Sequence, residues 1–543
     1  MCNSKKNNPL RTEQFTDLRD VIVKTAERYP DQTAFIRKEK ESGVHTRITF
    51  AEYRQQIDAL GTALTGIGLS GKKIALIGEN SYFWLLAYYA VTNGVGIIVP
   101  LDKGLPPDEI ENSLLQSGCS GIIYDETCAE KIEITRRRQI CPLTHFISMH
   151  EFPSLLEYGA GQMQLGNDSY LKKEIQPDAT CTLLFTSGTT SKAKAVELTH
   201  RNIASDVNFM FYAEPITCSD VNMAFLPFHH TFGCTGQLLF FSHGASTVFC
   251  DGLKYLQKNL KEYGVTTFFC VPLIIESMHK KIMAGMKRNG TDQKAMKMKR
   301  ITKILQRVPI DIRRRVYREV IDAFGGKLRL LISGAAPIAP QIADDFNRFG
   351  IVTVQGYGLT ETAPTLSVET PETIRSGSVG KALPGIEIRI DMPDEDGIGE
   401  IAVRGQNVMK GYYNQPEETK RVLRDGWFYT GDYGKLDSDG YLYITGRRKN
   451  VIVMQSGKKV YPEELEQLLY ELPYVTEALV TGELRNHDLK IAAHLYCGEN
   501  STESLDYDLE RLNRSLPAYK HIGTYYLHEA PFEKTSTGKI KRF

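Results

Sequence analysis

Apolar and polar positions along this chain follow two rhythms, a period near 3.6 residues and short unbroken apolar runs. In "FAEYRQQIDALGTALTGIG" the apolar residues recur at helical spacing; "KKIALIGEN" follows as a short apolar run closed by Gly78. The first predicts a helix and the second a buried strand. This alternation continues to about Tyr124, and further buried strands are expected in "GASTVFC", "GVTTFFCVP" and "GGKLRLLISGAAPI". Helices alternating with buried strands predict βαβ units around mostly parallel sheet, an α/β fold. The longest apolar stretch, Phe83–Leu101, is interrupted at Thr92-Asn93-Gly94, which splits it into an apolar helix and a buried strand. Neither piece is long enough to span a bilayer.

Farther along, "IEIRI" and "GEIAVRG" between Gly385 and Arg404 read as hairpin strands. Near Arg447 the texture turns polar, and the rest resembles a compact α+β unit. Its helix candidate "YPEELEQLLYEL" opens with Pro462 in the first turn and acidic residues behind it. A domain is therefore expected over residues 1–446, a hinge at 447–449 and a small domain at 450–543.

Composition narrows the class. A chain of 543 residues exceeds what one core usually supports. Hydrophobic residues at 42% and charged residues at 24% are globular proportions. A net charge of +1 selects for no nucleic acid. Ten scattered cysteines without a CxxC pair suit buried, reduced thiols better than a disulfide framework or zinc site. The polar N-terminus has no apolar core of a secretory signal, so a cytoplasmic protein is expected. Charge is concentrated only between Met278 and Arg318, which reads as a solvated helical face or a surface insertion. A sharper reading is a weak docking face for anionic lipid or an acidic acyl carrier protein.

The stretch with most chemistry is "FTSGTTSKAKAVELTH", Phe185–His200. Glycines and hydroxyls let backbone N–H and side-chain O–H groups converge on phosphate oxygens, and lysine adds a point charge. It is not a Walker A loop, and the partial Walker match at Gly66–Lys72 precedes a strand where a helix is required. Alone, such a loop is as well read as a surface turn. It is followed by "LPFHHTFG", "SGAAP", "QGYGLTETAP", "YTGDYG", "YITGRRKNVIVMQSGKKVYPEELE" and "KTSTGKIKR". That ordered set, from about Phe15 to Arg542, resembles the adenylate-forming superfamily of acyl-CoA synthetases, luciferases and peptide-synthetase adenylation domains.

The resemblance implies a large N-terminal domain of mostly parallel sheets with a β-barrel-like subdomain, and a small mobile α+β C-terminal domain. It implies ATP, Mg²⁺ and coenzyme A as reaction partners. Thr186, Ser187, Gly188, Thr189, Thr190 and Lys194 would cradle the β- and γ-phosphates. Thr360 would contact phosphate and Glu361 would hold the Mg²⁺. Gln355, Gly356, Tyr357, Gly334 and Ala335 would form the adenine slot, and Asp432 with Arg447 would take the ribose hydroxyls. His230 would stand near the reacting carboxylate and Phe232 would wall its pocket. Lys539 would bridge carboxylate and α-phosphate; rotation about Lys449 would then withdraw it and bring forward Gly457 and Lys459 for the thiol step. Ser191, Ala193, Ala195 and Glu533 depart from the family pattern.

For the acid, no aspartate stands in "AFLPFHHTFGCTGQ" to hold an amino group, and Gly358 stands where short-acid relatives carry tryptophan. A medium- or long-chain fatty acid–CoA ligase is expected. The alternatives are a fatty acyl-AMP ligase loading a carrier protein, an aryl acid–CoA ligase, and a nucleotide-binding pseudoenzyme.

Overall fold

The computed structural model describes residues 14–39, 42–186, 194–288, 313–455, 458–485, 488–498, 502–534 and 540–542. Helix Phe50–Leu64 begins at a capping box, in which Thr49 Oγ1 accepts from Glu52 N and Glu52 Oε2 accepts from Thr49 N. Strand Lys73–Ile77 follows, buried over its last four residues. The long apolar run divides as expected, into helix Tyr82–Ala90, a π turn Val91–Val95 and strand Ile97–Leu101. Every residue from Trp84 to Val95 is buried, so this helix is apolar all round instead of striped. At the break, Arg19 Nε donates to the Asn93 carbonyl at 2.8 Å, which satisfies a backbone acceptor that water cannot reach.

Two large sheets carry the N-terminal part. One has seven strands in the order Gly411–Tyr412, Lys194–Thr199, Thr180–Thr186, Ile97–Leu101, Lys73–Ile77, Gly121–Tyr124, His145–Ser148. Its last five strands run parallel, and its first two join antiparallel. The other has nine, with the parallel run Thr33–Lys38, Ser246–Phe249, Val221–Ala224, Thr267–Cys270, Leu330–Ser333, Val352–Gly358 flanked by antiparallel edges. The largest apolar core joins Leu76 and Ile98 of one sheet to Phe35 and Ile332 of the other through helices Tyr82–Ala90 and Thr231–Ser242.

The expected hairpin forms as Glu387–Asp391 paired antiparallel with Gly399–Arg404. It belongs to a five-stranded sheet with Leu423–Arg424, Trp427–Leu436 and Leu442–Arg447, every pairing antiparallel. The small C-terminal unit has its own core, in which Leu465 and Leu469 of helix Pro462–Tyr470 meet Val480, Ile491 and Leu495 of a three-stranded sheet. In the basic stretch, helix Pro272–Arg288 is followed by residues outside the described set. Beyond them Arg314 donates to the carbonyls of Gly326, Leu328 and Gly350, so this cation serves the fold.

Eight described cysteines carry free thiols, six of them buried. Among the described residues no helix is long and apolar enough to cross a membrane.

Candidate active site

The hydroxyl-rich loop joins two antiparallel strands, Thr180–Thr186 and Lys194–Thr199, with Thr186 opposite Lys194. Ser187, Gly188, Thr189 and Thr190 lie outside the described residues. At the loop's base Thr186 Oγ1 donates to the Lys194 carbonyl at 3.3 Å. The Lys194 ammonium pairs with Glu418 Oε2 at 2.9 Å and stands 4.8 Å from the centre of the Tyr412 ring. Tyr412 is delivered by strand Gly411–Tyr412, which pairs with Lys194–Thr199, and its hydroxyl donates to Glu361 Oε1 at 2.8 Å. A cation and a carboxylate from distant motifs are thus joined through one tyrosine.

Thr360 and Glu361 lie in a single 3₁₀ turn, Thr360–Thr362. A Thr-Glu pair at such a turn can also serve merely as a local cap. The structure instead gives the local hydrogen bond to Thr362, whose Oγ1 accepts from Leu359 N, and leaves Glu361 to reach Tyr412. The turn is anchored from behind. Asn407 Nδ2 donates to the carbonyls of Thr362 and Thr365, Met409 N donates to the Glu361 carbonyl, and buried Asp206 accepts from Thr365 N. Among the described residues no three metal-binding side chains cluster. As a single carboxylate, Glu361 could hold a cation whose shell phosphate and water oxygens complete, as they do for Mg²⁺.

The second station is built by antiparallel strands Trp427–Leu436 and Leu442–Arg447, which set Asp432 opposite Arg447. Asp432 is only 4% exposed. Its Oδ1 lies 2.7 Å from Arg447 Nε, and its Oδ2 accepts from the Tyr357 hydroxyl at 2.7 Å. Burial, then the Asp432 charge, pushes the Tyr357 phenol well above its ordinary range, so it remains a donor. Tyr357 sits at the end of strand Val352–Gly358, beside the turn that ends strand Leu330–Ser333. In that turn Ala335 is left-handed at φ 70°. A Cβ on Gly334 would lie 2.8 Å from the Phe232 ring, so the glycine lets the expected apolar wall reach the expected nucleotide slot.

The Gln355 side chain is tied inward, its Nε2 donating to the buried Ser378 carbonyl at 2.7 Å. One expectation needs correction here. Gly358 is not a vacated tryptophan position. A Cβ there would lie 1.8 Å from the Pro364 carbonyl oxygen, so the glycine serves the close approach of strand Thr365–Val368. Gly356 is also close-packed, 3.2 Å from the Ser367 carbonyl by the same measure.

The two adjacent histidines do not diverge: their ring centres lie 4.2 Å apart. His229 Nε2 faces Asp102 Oδ2 at 3.4 Å, whereas His230 precedes helix Thr231–Ser242 at its N-cap, two residues before Phe232. Lys449 lies in the 3₁₀ turn Arg448–Asn450; burial, then Arg447 and Arg542, lowers its pKa. Lys459 reaches back toward Asp432, 5.3 Å over the ring of the adjacent Tyr433. Gly457 and Lys539 lie outside the described residues. Beyond Lys539, Arg542 pairs with Glu463 and Glu466 of helix Pro462–Tyr470.

The AMP-binding enzyme model matches residues 22–413, and the AMP-binding enzyme C-terminal domain model matches residues 449–543. The chain belongs to the AMP-binding enzyme family. This AMP-binding enzyme is 29% identical to fatty acyl-CoA synthetase A of Dictyostelium discoideum, over 82% of its own length and 71% of that protein's. It is 27% identical to long chain acyl-CoA synthetase 1 of Arabidopsis thaliana, over 88% and 79% of the two chains. Among solved structures, the anthranilate CoA ligase AuaEII in complex with anthranoyl-AMP shares its fold, with a TM-score of 0.79, 20% identity, and 98% and 97% coverage.

Sequence reasoning passed over Tyr412, Glu418, Asn407 and Asp206. The first three lie in "NVMKGYYNQPEETK", whose Gly-Tyr-Tyr followed by a Pro-Glu-Glu helix start was a usable signal. Asp206 offered none, because its role depends on a strand 159 residues away.

Behind strand Val352–Gly358 lies an acidic pair. Glu369 is buried, accepts from Gln355 N and Arg375 N, and has its pKa pushed by burial to about 7. Neither carboxylate oxygen of buried Glu214 has a partner among the described residues. Burial, with Glu369 and Glu372 adding repulsion, raises Glu214 to about 8. A raised carboxyl contributes stability below its unfolded pKa near 4.5, which is lost as pH rises through about 8. Glu214→Gln cannot ionise, so it is expected to raise the melting temperature, relative to the parent, more at pH 8 than at pH 5. Equal shifts at both pH values in thermal melts would refute the assignment.

Proposed function

We propose that this AMP-binding enzyme is an acid–CoA ligase that activates a medium- or long-chain fatty acid in two steps. In the first, a carboxylate oxygen attacks the α-phosphorus of ATP, pyrophosphate leaves, and an acyl-adenylate forms. In the second, the thiol of coenzyme A attacks the acyl carbon and AMP departs. The reading rests on one observation above all: Lys194 and Glu361 meet through Tyr412, while Asp432, Tyr357 and Arg447 form a second polar station on a converging strand. The first suits a triphosphate and the second a ribose.

In this reading Thr186 and Lys194, with the loop between them, hold the β- and γ-phosphates. Glu361, beside Thr360, holds the Mg²⁺, which would neutralise phosphate charge when bound. Asp432 accepts from the ribose hydroxyls. The backbone at Gly334, Ala335 and Gly356 admits the adenine, and Tyr357 borders it. His230 donates to the acid's carboxylate, and Phe232 begins an apolar wall that continues to Phe269, 5.1 Å from it between ring centres. Donors preorganised where negative charge concentrates stabilise the transition state because they need no reorientation as it forms. Lys539 and the thiol-side residues Gly457 and Lys459 would take turns at the site as the small domain, residues 450–543, rotates about Lys449.

The apolar wall favours an acyl chain, in keeping with the names of the two relatives above. With Gly358 withdrawn from the pocket, chain length rests on Phe232 and its neighbours. A panel of carboxylic acids tested in pyrophosphate release, with ATP, Mg²⁺ and coenzyme A, decides the class. Turnover of acids of about eight carbons or more, with little of benzoates, is expected. Turnover of aryl acids alone refutes the fatty-acid reading, release only with a holo-carrier protein refutes the coenzyme A reading, and no release with any acid refutes both.

A further inference from the structure

Lys194 and Glu361 are both already engaged by neighbours outside the expected motifs. Tyr412 donates its hydroxyl to Glu361 Oε1 at 2.8 Å and places its ring 4.8 Å from the Lys194 ammonium. Glu418 pairs with that ammonium at 2.9 Å and also with Arg421 on its own helix, Pro416–Val422. The helix is fastened to Tyr412, whose backbone N–H donates to Thr419 Oγ1 at 2.9 Å. Gly411 lacks the Cβ that would meet Thr419 at 2.8 Å, which permits this approach. We propose that Tyr412 and Glu418 are positioning residues: Tyr412 holds Glu361 in place for its cation, and Glu418 holds Lys194 and competes with the nucleotide's phosphates for it. This rests on the reading of Lys194 and Glu361 given above.

The charge arrangement makes such an exchange cheap. When Lys194 turns to phosphate, Glu418 keeps Arg421 and is not left as an unpaired charge. Lys194 and Glu418 are 27% and 31% exposed. An ion pair at such a site contributes little, so removing the competitor is worth about twofold to fivefold in nucleotide affinity. The Tyr412 hydroxyl acts differently. Partners that orient a metal-binding carboxylate typically matter about tenfold or more in metal affinity. The two substitutions therefore shift binding in opposite directions, which a general loosening of the fold does not produce.

The test is calorimetric titration of the full chain and of three variants, Glu418→Gln, Tyr412→Phe and Lys194→Ala, with ATP and Mg²⁺. Glu418→Gln is expected to tighten ATP about twofold to fivefold, with the gain shrinking at high salt. Tyr412→Phe is expected to raise about tenfold the Mg²⁺ concentration needed for ATP binding. Lys194→Ala is expected to weaken ATP. Both new variants keep side-chain size, and Glu418 is at the surface, so melting temperatures near the parent's are expected. Unchanged or weaker ATP binding in Glu418→Gln overturns the competition. An unchanged Mg²⁺ requirement in Tyr412→Phe overturns the role given to the tyrosine. If Lys194→Ala binds ATP as well as the parent, the underlying phosphate assignment fails instead.

Discussion

Lys539→Ala is expected to slow acyl-adenylate formation about 10²- to 10³-fold, the range for removing one preorganised donor from a developing anion. Thioester formation from supplied acyl-adenylate and coenzyme A is expected to stay within about threefold of the parent, because in the proposed cycle this lysine has left the site before the thiol arrives. The two half-reactions are read separately, as acid-dependent ATP–pyrophosphate exchange and as acyl-CoA formed from purified adenylate. Equal losses in both would remove the alternation about Lys449. A loss confined to the second would exchange the roles of Lys539 and the Gly457–Lys459 segment.

The second large effect is expected at Asp432, in the proposed ribose station. Asp432→Asn keeps the shape of the side chain but removes the charge that faces Arg447 Nε and the Tyr357 hydroxyl. Each charge-assisted hydrogen bond to ribose that becomes neutral costs about 1–3 kcal/mol, so ATP affinity is expected to fall about 10- to 100-fold. Affinity for the acid is expected to change little, since Asp432 is assigned to the nucleotide alone. Titration with ATP, and separately with pyrophosphate, distinguishes the stations: pyrophosphate binding depends on Lys194 and Glu361 and is expected to survive. A variant that binds ATP normally would take Asp432 out of the nucleotide site.

Lys539 and Asp432 also differ in how far the sequence reached them. Both were named from short motifs in a known order. The structure places Asp432 beside Tyr357 and Arg447, whereas Lys539 lies outside the described residues and retains only its motif. Glu361 stood out in the sequence as a lone carboxylate among small residues, but nothing local said whether it caps its own turn. The arrival of Tyr412, 51 residues later in the chain, shows that its side chain reaches beyond the turn. Gly358 went wrong for a related reason. A glycine in a motif says only that a side chain is absent, and the strand Thr365–Val368 reveals that backbone fills the space.

The sequence by itself determined the alternation of helices and buried strands, the split of Phe83–Leu101, the hairpin after Gly385 and the helix opening at Pro462. Each depends on periodicity or on residues a few positions apart, and such local preferences act before distant segments meet. The family, too, was legible, because an ordered series of short motifs survives in the chain itself. Only the tertiary structure decided the pairing of Lys194 with Glu418, the inward turn of Gln355, the burial of Glu214 beside Glu369 and the anchoring of the Glu361 turn by Asp206 and Asn407. These depend on which strands become neighbours and how closely they approach, and both follow from burying one shared core instead of from any short stretch of residues.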